Sequence, residues 1–165
     1  MVDMILYHGS SEAVPAPMIL ITKYAKDFSW GFYATESLSQ AEKWAYRKAQ
    51  LGGTPTVNVY EYMEDPNLDI LSFSETTNDW LDFVAHCRRG ELHQHDIVSG
   101  PMADDTIWNY VQDYLDGTIS QAAFLELAKF RHPTHQISFH TIAALKTLRF
   151  LEAKELTFHH ERPQK

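Results

Sequence analysis

Cysteine is nearly absent. The chain holds one, Cys87, in 165 residues, so no disulfide can close within it and a reducing compartment is its expected home. No apolar run approaches the roughly 18 residues that a membrane span needs. The opening residues, MVDMILYHGS, carry an acid early and no long apolar stretch, so they do not read as a secretory signal. Cations are scarce: 14 Lys and Arg stand against 22 Asp and Glu, for a formal net charge of −8. That balance argues against tight, sequence-independent binding to a phosphate backbone, which needs a basic face. Local basic clusters remain at Lys43, Arg47 and Lys48 and at Arg88-Arg89. The first lies on the solvent face of a helix and the second reads as a helix C-terminal feature. Repeats, low-complexity segments and linkers are lacking too. A single domain spanning 1–165, located in the cytoplasm and free of membrane contact, is the expectation.

What is present is an ordinary globular balance, 44% apolar and 22% charged, with aromatics at 13%. Short apolar runs at 4–7 and 18–21 read as strands, the first stopping at His8-Gly9-Ser10. A third strand starts at Gly31 and carries Phe32 and Tyr33. Residues 38–51 have helical spacing, with Ala41, Ala45 and Ala49 on one face, Ser37 or Ser39 as N-cap and Gly52-Gly53 as stop. The alternation of TVNVYEY predicts a strand over 56–62. Further strands are predicted at 68–71, 95–98, 136–139 and within 150–158, and helices at 74–87, from Asp104 and Asp105 onward, at 120–129 and at 141–148. The tail from about 159 is polar and read as disordered. Strands early, helices in the middle and strands late give the α+β class.

Three places can carry chemistry. His8 ends a buried strand, where its imidazole can bond a hydroxyl and Gly9 can offer its backbone to a planar amide; a purely structural histidine is the competing reading. Tyr33 and Trp44 flank a strand end and a first helical turn, a spacing that can place two rings across a slot or simply pack both in a core. Gln136 sits in a strand that runs at once into a helix, where surface glutamines are common. A fourth set, His93, His95 and Asp96 with Asp104 and Asp105, has the residue types of a zinc site, although the two aspartates serve equally as helix N-terminal acids.

In chain order, YHGS, GFYATESLSQAEKWA and QISFHTIAALKTLRF resemble the three signature segments of the ADP-ribosyltransferases, on the side related to diphtheria toxin and the poly(ADP-ribose) polymerases. The chain is also similar to a group of small bacterial domains of unknown function regarded as divergent members. The resemblance implies a split β-sheet with an NAD+ cleft and peripheral helices. It implies His8 on a ribose and, with Gln136, in the catalytic set, Gly9 gripping the carboxamide through its backbone, Ser10 among the cofactor-binding residues, Tyr33 and Trp44 around the nicotinamide ring, and Ser39 in support. NAD+ would be a substrate, with no metal needed. The activity implied is mono-ADP-ribosylation of a protein or single-stranded nucleic acid, with release of nicotinamide. A toxin or phage-defence role with an antitoxin or regulatory partner follows from the family's habits. One departure matters. Where the family carries a catalytic glutamate this chain has Gln136, which accepts a hydrogen bond but supplies neither full charge nor a base. Glu36, Asp104 or Asp105 are the acids that could compensate. The alternative is a silent NAD+-binding or protein-interaction module on the same fold.

Overall fold

The computed structural model describes residues 4–23 and 26–158; the tail read as disordered lies outside them. Among these residues the class is α+β, with two sheets and five helices. The elements are β1 (Met4–Ser10), β2 (Phe32–Ala34), α1 (Leu38–Ala49), β3 (Thr56–Tyr62), β4 (Ile70–Ser72), α2 (Asn78–Arg88), β5 (Ile97–Pro101), α3 (Asp105–Leu115), α4 (Gln121–Ala128), β6 (His135–Phe139), α5 (Ile142–Leu145) and β7 (Leu148–Glu155). They fall into two compact units. The first takes the chain up to Pro17, Ala34–Glu64 and the chain from Leu148; the second takes Met18–Tyr33 and Asp65–Thr147.

In the first unit β3 is the central strand, with β1 and β7 antiparallel on its two sides. The helix α1 is set by Ser37, whose hydroxyl accepts from the Gln40 N–H, so Ser37 and not Ser39 is the cap. Ala41, Ala45 and Ala49 recur every fourth residue and are buried. Their small side chains let the helix backbone settle onto the sheet beside Val57 and Val59. The approach is closest at Gly9, where a Cβ would overlap the Ala41 carbonyl and come within 2.6 Å of the Ala45 nitrogen. Asn58 lies fully buried in β3. It accepts from Val14 N–H at 2.7 Å and donates to the carbonyls of His8 and Glu12, which ties down the loop after β1.

In the second unit the strand order is β2-β6-β5-β4, with β5 antiparallel to β6 and parallel to β4. The core joins Phe28 and Tyr33 to Trp80, Leu81 and Val84 of α2, Ile107 and Val111 of α3, and Phe124 of α4. Trp80 stacks on Phe124 and donates its indole N–H to the Pro101 carbonyl at 2.9 Å. Two sequence expectations need correction here. Residues 18–21 form no strand, and Met18, Leu20 and Ile21 are 64, 61 and 80% exposed; an apolar run without a pairing neighbour has nowhere to put its backbone bonds. The helix expected at 74–87 starts at Asn78, because the Thr77 hydroxyl caps it by accepting from Trp80 N–H. No helix among the described residues is long and apolar enough to cross a membrane.

Candidate functional site

The first unit gathers His8, Gly9, Ser10 and Trp44. Gly9 lies against α1, where a Cβ on it would come within 2.9 Å of the Trp44 Cβ. Tyr7 exchanges both backbone hydrogen bonds with Thr35, at 2.8 and 2.9 Å. Backbone groups of a strand alternate between its two edges. His8 therefore bonds toward β3, while the N–H and C=O of Gly9 face the same edge as those of Tyr7. Glycine is needed here for the helix contact alone, and its backbone is turned to an edge at the same time. His8 and Ser10 are buried, whereas Trp44 is partly open and Ser39 is exposed, its hydroxyl 3.1 Å from that of Ser37.

The second unit holds Tyr33 and Gln136. Tyr33 is buried, its ring stacked on Phe28 with 6.4 Å between centroids and the Lys26 ammonium 4.8 Å from its centre. Its hydroxyl donates to the Ser29 carbonyl at 2.5 Å and accepts from Phe28 N–H at 3.0 Å. Burial and the nearby Asp27 charge hold that hydroxyl well above its ordinary pKa. Tyr33 thus fixes the loop before β2 as much as it fills the core.

Gln136 is buried, and its amide nitrogen donates to Asp27 Oδ2 at 3.2 Å. The same oxygen accepts from Ala103 N–H at 2.9 Å. Asp27 Oδ1 takes Nε of Arg88 at 3.1 Å, together with its Nη2. The Arg88 guanidinium carbon lies over Trp108, 3.6 Å from the ring centre. Asp27 is therefore the acid beside Gln136, and sequence reading missed it. Of the acids raised beforehand, Asp104 caps α3 by accepting from the N–H groups of Thr106 and Ile107, Glu36 is exposed, and the Asp105 side chain lies outside what is described. Arg88 closes α2, as its sequence position predicts, and is at the same time the counter-ion of Asp27. Because Asp27 takes the amide nitrogen of Gln136, the amide is oriented with its oxygen turned away as an acceptor.

Three successive carbonyls of the Phe28–Trp30 turn each receive a side-chain donor. Tyr33 serves Ser29, as above. His93 Nε2 donates to Phe28 at 2.9 Å and His140 Nδ1 donates to Trp30 at 2.9 Å. A carbonyl can only accept, so His140 carries a hydrogen on Nδ1; its Nε2 lies 2.7 Å from the Ser138 hydroxyl, whose single hydrogen is shared with the Val98 carbonyl at 3.1 Å. Burial, first, and the neighbouring His93 and His95 push the His140 pKa down from 6.5 to about 4; burial also lowers that of His93. The neutral imidazole belongs to the folded state, so the unfolded chain takes up the proton first as pH falls. The stabilisation is complete above pH 6.5 and is lost on the way down to about 4. Urea titrations should show folding weaker by about 2 kcal/mol near the lower limit than at neutral pH, with allowance for partial solvent access. His140→Asn, whose amide can still reach the Trp30 carbonyl, should flatten that slope; an unchanged slope would place the titration elsewhere.

The metal-ligand set does not assemble. His93 is committed to Phe28, and His95 Nδ1 lies 3.2 Å from Asp69. Asp96 accepts from the Thr141 hydroxyl and from Asp69 N–H. Among the described residues no group of three or more His, Cys, Asp or Glu is placed to hold a metal ion. Cys87 is buried, with its thiol pushed up to about 12 by burial and the Asp27 charge, so it is a packing residue and not a nucleophile. Residues 4–150 match a family model whose description is a protein of unknown function (DUF3990). No curated protein and no solved structure matches the chain.

Proposed function

The chain belongs to the DUF3990 family, whose description assigns no activity, and from its own residues we propose an NAD+-dependent mono-ADP-ribosyltransferase. The observation that carries this reading is Gly9. Its N–H and C=O face the Tyr7 edge of β1 and can meet the two polar groups of a carboxamide, and the part-open Trp44 side chain starts from a Cβ that lies against Gly9. A nicotinamide offers that carboxamide and a flat ring to stack. Cleavage of the bond from nicotinamide to ribose leaves positive charge on the sugar, which calls for an oriented acceptor near a ribose hydroxyl. Within the second unit Asp27 fixes the Gln136 amide, whose oxygen is an oriented acceptor of the kind such chemistry uses. It supplies no full charge, so slow transfer of a single ADP-ribose to an unidentified protein or single-stranded nucleic acid fits better than polymer formation.

A silent NAD+-binding module is the second reading, and one observation favours it. The carboxylate beside Gln136 is already engaged by Arg88 and the Ala103 N–H, which leaves it poorly placed to act as a base. Two measurements separate the readings. Calorimetry should show saturable NAD+ binding that Trp44→Ala weakens about tenfold, or 1–2 kcal/mol, through lost stacking; equal affinity in the two proteins would remove the Gly9 and Trp44 site. Chromatographic detection of nicotinamide released from NAD+ supports transfer, whereas binding without release leaves the silent module.

A further inference from the structure

The turn before β2 is strained. Ser29 holds φ at 76°, a left-handed backbone that a serine seldom keeps unless its surroundings impose it. Three side chains from separate places impose it here. Tyr33 of β2 holds the Ser29 carbonyl, His93 from the segment before β5 holds that of Phe28, and His140 after β6 holds that of Trp30. The two imidazoles meet edge to face, with 4.3 Å between ring centres. Each gives a hydrogen to the turn, and they differ in what the other nitrogen does. His93 Nδ1 accepts from the His95 N–H at 3.1 Å, so a second hydrogen there would set one donor against another and break that contact. His140 Nε2 lies beside the Ser138 hydroxyl, which can turn its hydrogen to the Val98 carbonyl and accept instead. His140 keeps its contacts in either charge state, whereas His93 keeps both of its own only when neutral.

The groups around His93 push the same way. His95 Nδ1 lies 3.2 Å from Asp69, and His86, near the end of α2, lies 2.5 Å from Glu91 and 3.1 Å from the Leu92 carbonyl. A carboxylate holds an imidazolium better than a neutral ring, so added protons tighten both ends of the 91–95 loop while they loosen its middle. Tyr33 faces the edge of His140, with Lys26 over its own ring and the Asp27 charge close by. Asp96 is taken by the Thr141 hydroxyl and Asp69 N–H. Among the described residues no carboxylate bonds His93 or His140. Burial, first, and the neighbouring His95 and His86 hold the His93 pKa below its ordinary 6.5. The closed turn therefore binds fewer protons than one whose His93 stands in water. Its advantage is complete above 6.5 and is lost as pH falls below that value.

We propose that His93 is an acid-released latch: on taking a proton its ring leaves the Phe28 carbonyl, and that side of the turn opens while the rest of the second unit stays folded. The opening is local because α2 and β5 are anchored in the core through Trp80, Leu81, Val84 and Val98, none of which touches the latch by a hydrogen bond to His93. Its effect passes to Asp27, the residue next to Phe28, which holds the Gln136 amide and the Ala103 N–H. With the turn open the Gln136 amide is free to reorient. The inference concerns conformation and does not rest on the ADP-ribosyl reading, so each can fail without the other.

The test is amide hydrogen exchange of the full chain, followed by NMR between about pH 7.5 and 5.5 and corrected for the intrinsic rate. Protection at Phe28, Ser29 and His95 should fall at least tenfold over that range, while Leu81, Val84 and Val98 keep theirs. In His93→Gln, whose amide can still donate to the Phe28 carbonyl but does not titrate, protection at Phe28 and Ser29 should not change with pH. The ring-carbon shifts of His93 in the unaltered protein give a readout that needs no variant: ring protonation and turn opening should share one midpoint. Equal loss of protection in His93→Gln overturns the proposal. So does a His93 ring that takes its proton with Phe28 and Ser29 still protected, or loss of protection throughout the unit at once.

Discussion

Asp27→Ala should cost about 3–5 kcal/mol of folding free energy, because it leaves the Arg88 guanidinium buried without its counter-ion. The ion pair is not the whole of the loss. Asp27 Oδ2 also satisfies the Ala103 N–H and the Gln136 amide, and both donors would be left inside the protein. The size of the effect follows from the asymmetry of buried pairs. Removing one partner strands a charge, while removing both leaves only a packing problem. The double variant Asp27→Ala with Arg88→Met should therefore be more stable than Asp27→Ala alone. Chemical denaturation of the single and double variants reads this directly. A single variant within 1 kcal/mol of the parent would mean that water, and not Asp27, solvates Arg88.

The second large effect concerns the residue that departs from the transferase pattern. Gln136→Glu installs the carboxyl group that the resemblance calls for, but it does so against a carboxylate. With 3.2 Å between the present amide nitrogen and Asp27 Oδ2, two negative oxygens would meet where one hydrogen bond now sits. Like charge and burial both raise the pKa of the introduced carboxyl above its unfolded value of about 4.3. The folded variant then binds more protons than the unfolded one between those two values, so its stability falls as pH rises through that window. In its protonated form the new group can donate to Asp27 as the amide did, and the variant should lie close to the parent near pH 4. At neutral pH the deficit should reach about 2–3 kcal/mol. Acid loss through His140 is common to both proteins and cancels in the difference. A pH-independent deficit would show that the fault is steric. A gain in nicotinamide release without loss of stability would show that Asp27 can turn aside.

Local signals were legible in the sequence and long-range partners were not. The capping serine, the four-residue alanine spacing and the alternation of TVNVYEY set α1 and β3 to within a residue or two, because helix caps and strand faces are written in neighbouring residues. His8, Gly9 and Trp44 were singled out for the same reason, and the structure does bring Gly9 and Trp44 together. The 18–21 run misled because its apolar residues have no pairing strand to justify them. Asp27 was invisible. Its partners stand 61, 76 and 109 positions away, and nothing around KDFSWG marks one acid as buried. Arg88 was read by its place at a helix end, which is local information, when its role is set by a residue from another part of the chain. His140 likewise acts on Trp30 from 110 positions away.

The turn at Phe28–Trp30 has a consequence for how this chain can change over generations. Its carbonyls and the acid just before it are held by side chains from α2, from the segment before β5, from the start of β6 and from the residue after it. A substitution at any one of these distant positions disturbs the same four-residue stretch from Asp27 to Trp30. Asp27, Arg88, His93, Gln136 and His140 are thus one inherited character spread over five places, and lineages that lose Asp27 should have replaced Arg88 as well.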